Sequence, residues 1–264
     1  LEIFRDRLEA SGMLDQAVDF LMASGKLSAI CHREEVEAAL RTPGYGGFQM
    51  LDLQDFSGQG TALVGMLNVF MESKGLITPA EWRRFCCQTV PLLITRSYTW
   101  VQDEVFAAQI RVAHYGPADL SDQAVSWLLS DNGRVLSRGV CEPTTIPTGA
   151  VTRVGEISVP LSAIDRATKL SVVVSLEGTV FENHYDMWVY PRAVDTRSDG
   201  ITVVRAFDRD ARAALESGGR VLLIPEPERI TRCVGGAFQT SFWCWPMFRR
   251  VAIERGIEVA PGTL

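Results

Sequence analysis

The chain has 264 residues, of which 47% are hydrophobic and 22% charged, the make-up of an ordinary folded protein with room for about two domains. Its net charge of −6, with basic residues scattered, argues against a nucleic-acid partner, because phosphate neutralisation needs clustered Lys and Arg. No apolar run reaches the roughly 18 residues that a membrane-spanning helix requires.

Residues 1–92 read as helices around one strand. Leu14, Ala17, Val18 and Leu21 fall at i, i+3, i+4 and i+7, one face of an amphipathic helix. Val36, Ala39 and Leu40 repeat the pattern in a second helix that begins near Arg33 and ends at Thr42-Pro43-Gly44. Glu34, Glu35 and Glu37 lie on that helix with the spacing of a solvated face. Gly47 to Leu53 is short, apolar and bounded by glycines, which suits a buried parallel strand. Thr78-Pro79-Ala80-Glu81 supplies an N-cap, a first-turn proline and a capping-box glutamate for a helix to about Cys86. A lone buried parallel strand cannot satisfy its backbone on both sides, so its neighbours are expected from residues outside this sequence.

From 93 to 192 the period changes to two. Phe106, Ala108, Ile110 and Val112 alternate, as do Val125, Trp127 and Leu129, and Asn132-Gly133 is a strong hairpin signal. Strands recurring about every ten residues without helices point to an all-β immunoglobulin-like sandwich of roughly seven strands. Residues 196–264 switch again: Ile201–Val204, Asp208–Leu215 and Arg220–Ile224 read as strand, helix and strand, the start of an α/β domain with parallel strands.

The cysteines (31, 86, 87, 141, 233 and 244) form neither a CxxC nor an even framework, and read as buried thiols rather than zinc ligands. His32-Arg33-Glu34-Glu35 lacks the HExxH spacing, Gly58-Gln59-Gly60 lacks a phosphate-loop lysine, and no nucleophile elbow is present. No cofactor and no metal are expected. His114 and His184 fall in strands, as surface or hydrogen-bonded residues. The informative polar groups cluster at the end of the expected strand, where Gln49, Asp52, Gln54 and Asp55 suit contacts with a polar ligand. Asp55 could equally cap a helix. Trp243 and Trp245 would share one strand face and could stack on a sugar ring, although such clusters are more often core.

The stretch Glu35–Gly58, EVEAALRTPGYGGFQMLDLQDFSG, resembles the last helix and eighth barrel strand of glycoside hydrolase family 2, where an arginine-bearing helix and a glycine precede a strand reading roughly W-Q-L-N-D-x-W-P-G. The longer run LDLQDFSGQGTALVGMLNVFMESKG resembles a bacterial subgroup in which a sandwich and an α/β region follow the barrel. Aligned so, Asp52 takes the glutamine place, Gln54 the asparagine place, and Asp55 matches the aspartate. Leu51 stands where tryptophan is usual, and Phe56 replaces a second aromatic.

The resemblance implies a multi-domain α+β protein: the end of a (β/α)₈ TIM barrel (1–92), the sandwich (93–192) and a partial α/β domain (196–264). It implies a retaining glycosidase acting on oligo- or polysaccharides, with a glutamate acid/base and a glutamate nucleophile about 5 Å apart. Both would lie on earlier barrel strands, so no catalytic residue is expected in this chain. The fragment alone is then expected to be inactive, its partners a carbohydrate and the remaining barrel. A periplasmic or secreted location is likewise what the resemblance implies. The departure at Leu51 leaves open a non-catalytic carbohydrate-binding or scaffolding protein derived from such an enzyme. An independent ligand-binding role for the α/β part is a third reading, and no nucleotide fingerprint accompanies it.

Overall fold

A computed structural model describes residues 2–51, 53–56, 63–193, 199–230, 239–240, 250, 253–254, 256 and 261–262. The protein is mixed α+β, mostly sheet with few helices. It divides into two compact units, Leu1–Arg192 and Ala193–Thr263. Among the described residues, no helix is long and apolar enough to cross a membrane.

Unit one begins with α1 (Glu2–Ala10) and a long α2 (Ala17–Arg41). The two helices expected on either side of residue 30 are one continuous helix. Its halves differ in environment. In the second half Val36 and Leu40 are buried against the sheet, as their spacing implies. In the first half the expected apolar face is open: Val18 is 68% and Leu21 69% exposed.

Residues 47–51 and 53 form no strand, a second correction. Gln54 alone makes a bridge, parallel to Leu67. Leu51 stands 81% exposed, where a buried strand was expected. The physical reason is that a strand needs hydrogen-bonding neighbours along its length, and among the described residues of this stretch only Leu53, whose carbonyl accepts from Leu67 N, has one.

α3 (Pro79–Phe85) starts as the sequence dictates. The Thr78 side chain accepts from Glu81 N at 3.2 Å, and Glu81 Oε2 accepts from Thr78 N at 2.8 Å, closing a capping box with proline in the first turn. The helix delivers Phe85 to a cluster with Val36, Leu40, Val90, Leu92 and Ala113, and Trp82 meets Phe85 edge to face at 5.0 Å.

Eight strands follow: β1 (Thr89–Thr95), β2 (Thr99–Val101), β3 (Val105–His114), β4 (Leu120–Asp131), β5 (Arg134–Ile146), β6 (Ala150–Pro160), β7 (Thr168–Leu176) and β8 (Glu182–Tyr190). They form a three-stranded sheet, β1-β3-β6, and a five-stranded sheet, β2-β8-β7-β4-β5. All pairings are antiparallel except β2 with β8. Asn132 and Gly133 take positive φ (46° and 85°) in the β4–β5 hairpin, as an Asn-Gly turn of type I′ requires.

The predicted alternation decides which face is core: Phe106, Ala108, Ile110 and Val112 from the small sheet are all buried. They meet Val125, Leu129, Leu170, Val172, Val174, Tyr185, Met187 and Val189 from the large one. Each fully buried aliphatic side chain contributes about 1.5–3 kcal/mol relative to exposure. The other face of the small sheet, at Val90, Leu92 and Ala113, is covered by α2 and α3. Two sheets and a helical layer thus form one unit.

His114 is buried and structural. Its Nδ1 meets Thr89 Oγ1 and its Nε2 meets Ala118 O, both at 2.8 Å. The expectation of buried thiols needs correction at Cys31, which is exposed on α2; Cys86, Cys87 and Cys141 are half-buried, and Cys233 and Cys244 lie outside the described residues.

In unit two, β9 (Ile201–Val204) and β10 (Arg220–Leu223) pair in parallel across α4 (Arg209–Glu216). This is the strand–helix–strand unit read from the sequence. Asp208 caps α4 by accepting from Asp210 N and Ala211 N at 3.1 and 2.9 Å.

Candidate functional site

The polar residues expected near 49–55 lie in the chain between α2 and α3, where residues 53–56 and 63–75 form a hydrogen-bonded loop assembly. Its backbone is stitched by Asp55 N to Leu67 O at 3.0 Å and Leu67 N to Leu53 O at 3.1 Å, and Leu67 also bridges Ser73. Asn68 organises the returning turn. Its Oδ1 accepts from Phe70 N and Glu72 N at 2.9 and 3.0 Å, the local side-chain capping that asparagine offers a turn, while Met71 takes φ 66°.

Asp55 sits at the centre. Only 4% exposed, its Oδ1 accepts from Gly65 N at 3.0 Å and from Lys74 Nζ at 2.5 Å. Lys74 Nζ also reaches Leu63 O at 3.4 Å, so the ammonium ties three parts of the assembly together. Gly65 is dictated by space: a Cβ there would stand 2.3 Å from the Gln54 carbonyl carbon and 2.5 Å from Asp55 N. The sequence reading did not find Lys74 or Gly65. Lys74 is 19 residues from its partner, and no local periodicity links them.

The expected contact residues are therefore not equivalent. Gln49 is exposed in an irregular stretch, and Gln54 is half-buried with its backbone in the bridge to Leu67. Among the described residues no hydrogen bond joins Gln49, Gln54 and Asp55 through their side chains. Asp52 lies outside the described residues, as do residues 57–62 and the tryptophans Trp243 and Trp245.

Chemically, the Asp55 carboxylate is committed to an amide and an ammonium. Such a group orders a loop rather than shuttling protons to solvent. In the same stretch of chain the exposed Gln49 amide can donate and accept, and Phe48, Leu51, Phe56, Leu63 and Phe70 are exposed apolar side chains. That combination suits hydrogen bonding to, and apolar contact with, a neutral polar ligand or a neighbouring protein surface.

Two family models match the chain. Residues 202–264 match a model described as a domain of unknown function (DUF8487), and residues 104–191 match another described as a domain of unknown function (DUF8488). The second match begins inside the sandwich, leaving β1 and β2 outside it although β1 completes the small sheet. No curated protein sequence matches.

Among solved structures, the chain is similar to an alkylpurine DNA glycosylase from Pseudomonas fluorescens bound to DNA containing an abasic site analog (11% identity, TM-score 0.30, 39% of this chain and 31% of that one). It is also similar to a cycloisomaltooligosaccharide glucanotransferase from Paenibacillus sp. complexed with cycloisomaltoheptaose (13% identity, TM-score 0.32, 48% of this chain and 17% of that one). A third is the CARDB domain of a Pyrococcus furiosus protein (11% identity, TM-score 0.30, 39% of this chain and 94% of that one). The chain thus spans less than a third of the first of these proteins and less than a fifth of the second, and TM-scores near 0.3 do not establish a shared fold.

Proposed function

We propose that this chain is part of a glycoside hydrolase, supplying the closing segment of its (β/α)₈ barrel, an immunoglobulin-like sandwich that braces the barrel, and the start of an α/β domain. The observation that carries the reading is the apolar surface left open on α2 and the stretch after it. Val18, Leu21, Leu51, Phe56 and Phe70 are all more than half exposed; Leu51 and Phe56 fall within the stretch Glu35–Gly58 that resembles family 2, Phe70 within the longer run after it, and Val18 and Leu21 on the helix that leads into it. Exposed apolar side chains in such number mark a surface that another element covers, and adjacent barrel strands and helices would be that element.

In this reading Gln49, Asp52 and Gln54 offer their polar groups to sugar hydroxyls, and Asp55 holds the loop that presents them. Two catalytic glutamates on other barrel strands do the bond cleavage with retention of configuration. The sandwich contributes rigidity through the packing of α2 and α3 on its small sheet.

The experiment is to express the parent protein with the residues that precede this segment and assay it on a panel of chromogenic β-glycosides. Hydrolysis with retained anomeric configuration, and a fall in kcat/KM of about tenfold or more in Gln54→Ala, supports the reading. A folded parent that binds oligosaccharides without cleaving any of them points instead to the non-catalytic binding role, for which the missing tryptophan at Leu51 speaks. A folded parent that neither cleaves nor binds sugars overturns both.

A further inference from the structure

Glu37 carries a carboxylate with no exposed surface, seated among α2, β1 and β8. The sequence placed it on a solvated face with Glu34 and Glu35, and the structure corrects that. Arg33, Val36, Glu37 and Leu40 stand at i, i+3, i+4 and i+7, so Glu37 lies within the stripe that packs on the sandwich.

Asn183 Nδ2 donates to Glu37 Oε1 at 2.8 Å, and Tyr185 Oη lies 3.1 Å from both carboxylate oxygens. The same amide reaches Pro91 O at 3.1 Å and Tyr185 Oη at 2.8 Å, sharing its two hydrogens among three acceptors, and Leu93 N donates to Tyr185 Oη at 3.2 Å. Tyr185 Oη also stands 3.4 Å from Pro91 O. The phenol thus has one hydrogen and two kinds of acceptor within reach. With Glu37 ionised, that hydrogen goes to the carboxylate. With Glu37 protonated, the acid donates its own hydrogen to Tyr185 Oη in place of Asn183 Nδ2, whose two hydrogens then go to Glu37 and Pro91 O, and the phenol turns to Pro91 O.

We propose that Glu37, Tyr185 and Asn183 form a proton-operated latch that holds α2 to the sandwich and grips harder when Glu37 takes up a proton. The inference does not depend on the glycosidase reading.

The surrounding charges set the direction. On α2, Arg33 lies with its guanidinium carbon 5.4 Å over the Tyr185 ring, but it donates to Glu34 Oε1 at 2.8 Å and His184 O at 3.5 Å, not to Glu37. Its buried Nε has no hydrogen-bond partner. Glu34 faces Glu37 from the same helix and repels it. From β8 comes Tyr185 itself, while the His184 ring is turned to Glu182 at 2.8 Å. From the β1–β2 connection comes Tyr98, stacked on Tyr185 at 6.4 Å. β1 brings no titratable side chain.

Burial pushes the Glu37 carboxyl upward, and the Asn183 hydrogen bond and nearby Arg33 offset this only in part. Opening the latch returns the carboxyl to its ordinary value and releases a proton. Rising pH therefore favours opening, by up to about tenfold per pH unit between the ordinary and the raised value.

The test is hydrogen exchange on the 264-residue chain from pH 4.5 to 8, read as protection factors of the α2 amides near Glu37, with direct titration of the Glu37 side-chain carbon by NMR. Protection that falls with pH in the wild type and stays level in Glu37→Gln supports the latch. A wild-type protection independent of pH, or the same fall in Glu37→Gln, overturns it. If Glu37→Gln does not fold, the NMR titration decides: a midpoint above the ordinary glutamate range supports the latch, and one within or below that range sinks it.

Discussion

The Gly65 amide donates to Asp55 Oδ1 at 3.0 Å, and a Cβ on Gly65 would come within 2.3 Å of the Gln54 backbone. Hydrogen bond and close approach are two sides of one crossing, since the donor reaches the carboxylate only because no side chain separates the two segments. Gly65→Ala must push backbone, which does not yield as a flexible side chain would. The expected cost is about 1–3 kcal/mol, concentrated where residues 53–56 and 63–75 cross. Limited proteolysis should show faster cleavage there, while Gly46→Ala, with open space around its Cβ, leaves the digestion pattern unchanged.

Asp55 and Lys74 are expected to be coupled. Asp55 keeps 6% and Lys74 23% of its side-chain surface exposed, so the pair is mostly desolvated. Removing one partner strands the other's charge. Asp55→Asn and Lys74→Met should each destabilise the chain, while the double variant loses less than the sum. The coupling energy expected is about 1–3 kcal/mol, measured by chemical denaturation of the four proteins in the cycle. Additive losses would show that the two side chains do not act together.

What could be read from the sequence follows the range of the forces involved. β3 was legible because alternation at Phe106, Ala108, Ile110 and Val112 is a local consequence of one buried face. The α3 capping box was legible for the same reason, all its partners falling within four residues. The segment 47–53 has the composition of a strand, yet pairing is not a local property, and residues 47–51, with no described strand beside them, are irregular. The stripe Leu14, Ala17, Val18 and Leu21 has the right period and nothing described to pack on. Glu37 was missed for the opposite reason: a charge within an apolar stripe is tolerable only with donors 146 and 148 residues away. Lys74 belongs to the same class of long-range partner.

Cys31 offers a test of local electrostatics. The thiol is on an exposed residue, but partial burial raises its pKa, and Glu35 and Glu34 raise it further. Since the thiolate is the nucleophile, less of it is present at neutral pH than in an unstructured peptide. Alkylation by iodoacetamide at pH 7.5, followed peptide by peptide in a mass spectrometer, should be several-fold slower at Cys31 than in such a peptide. Glu35→Gln and added salt should each quicken it, because both weaken the repulsion.

Acid should act on α3 in the sense opposite to its effect on α2. Glu81 Oε2 accepts from Thr78 N and Thr78 Oγ1, both at 2.8 Å, and these bonds hold the Glu81 carboxyl below its ordinary value. A depressed carboxylate contributes stability above its unfolded value of about 4.3, and the contribution is lost as pH falls through the lower folded value. The Glu37 carboxyl, held upward by burial, favours the folded state most at low pH. Thr78→Ala removes the cap's side-chain acceptor and should cost about 1 kcal/mol at pH 7. The same substitution should cost less at an acid pH below the lowered Glu81 value, where the glutamate half of the box has taken up its proton. Denaturation at the two pH values measures both costs, and a Thr78→Ala effect that does not shrink in acid would show that Glu81 takes no part in capping α3.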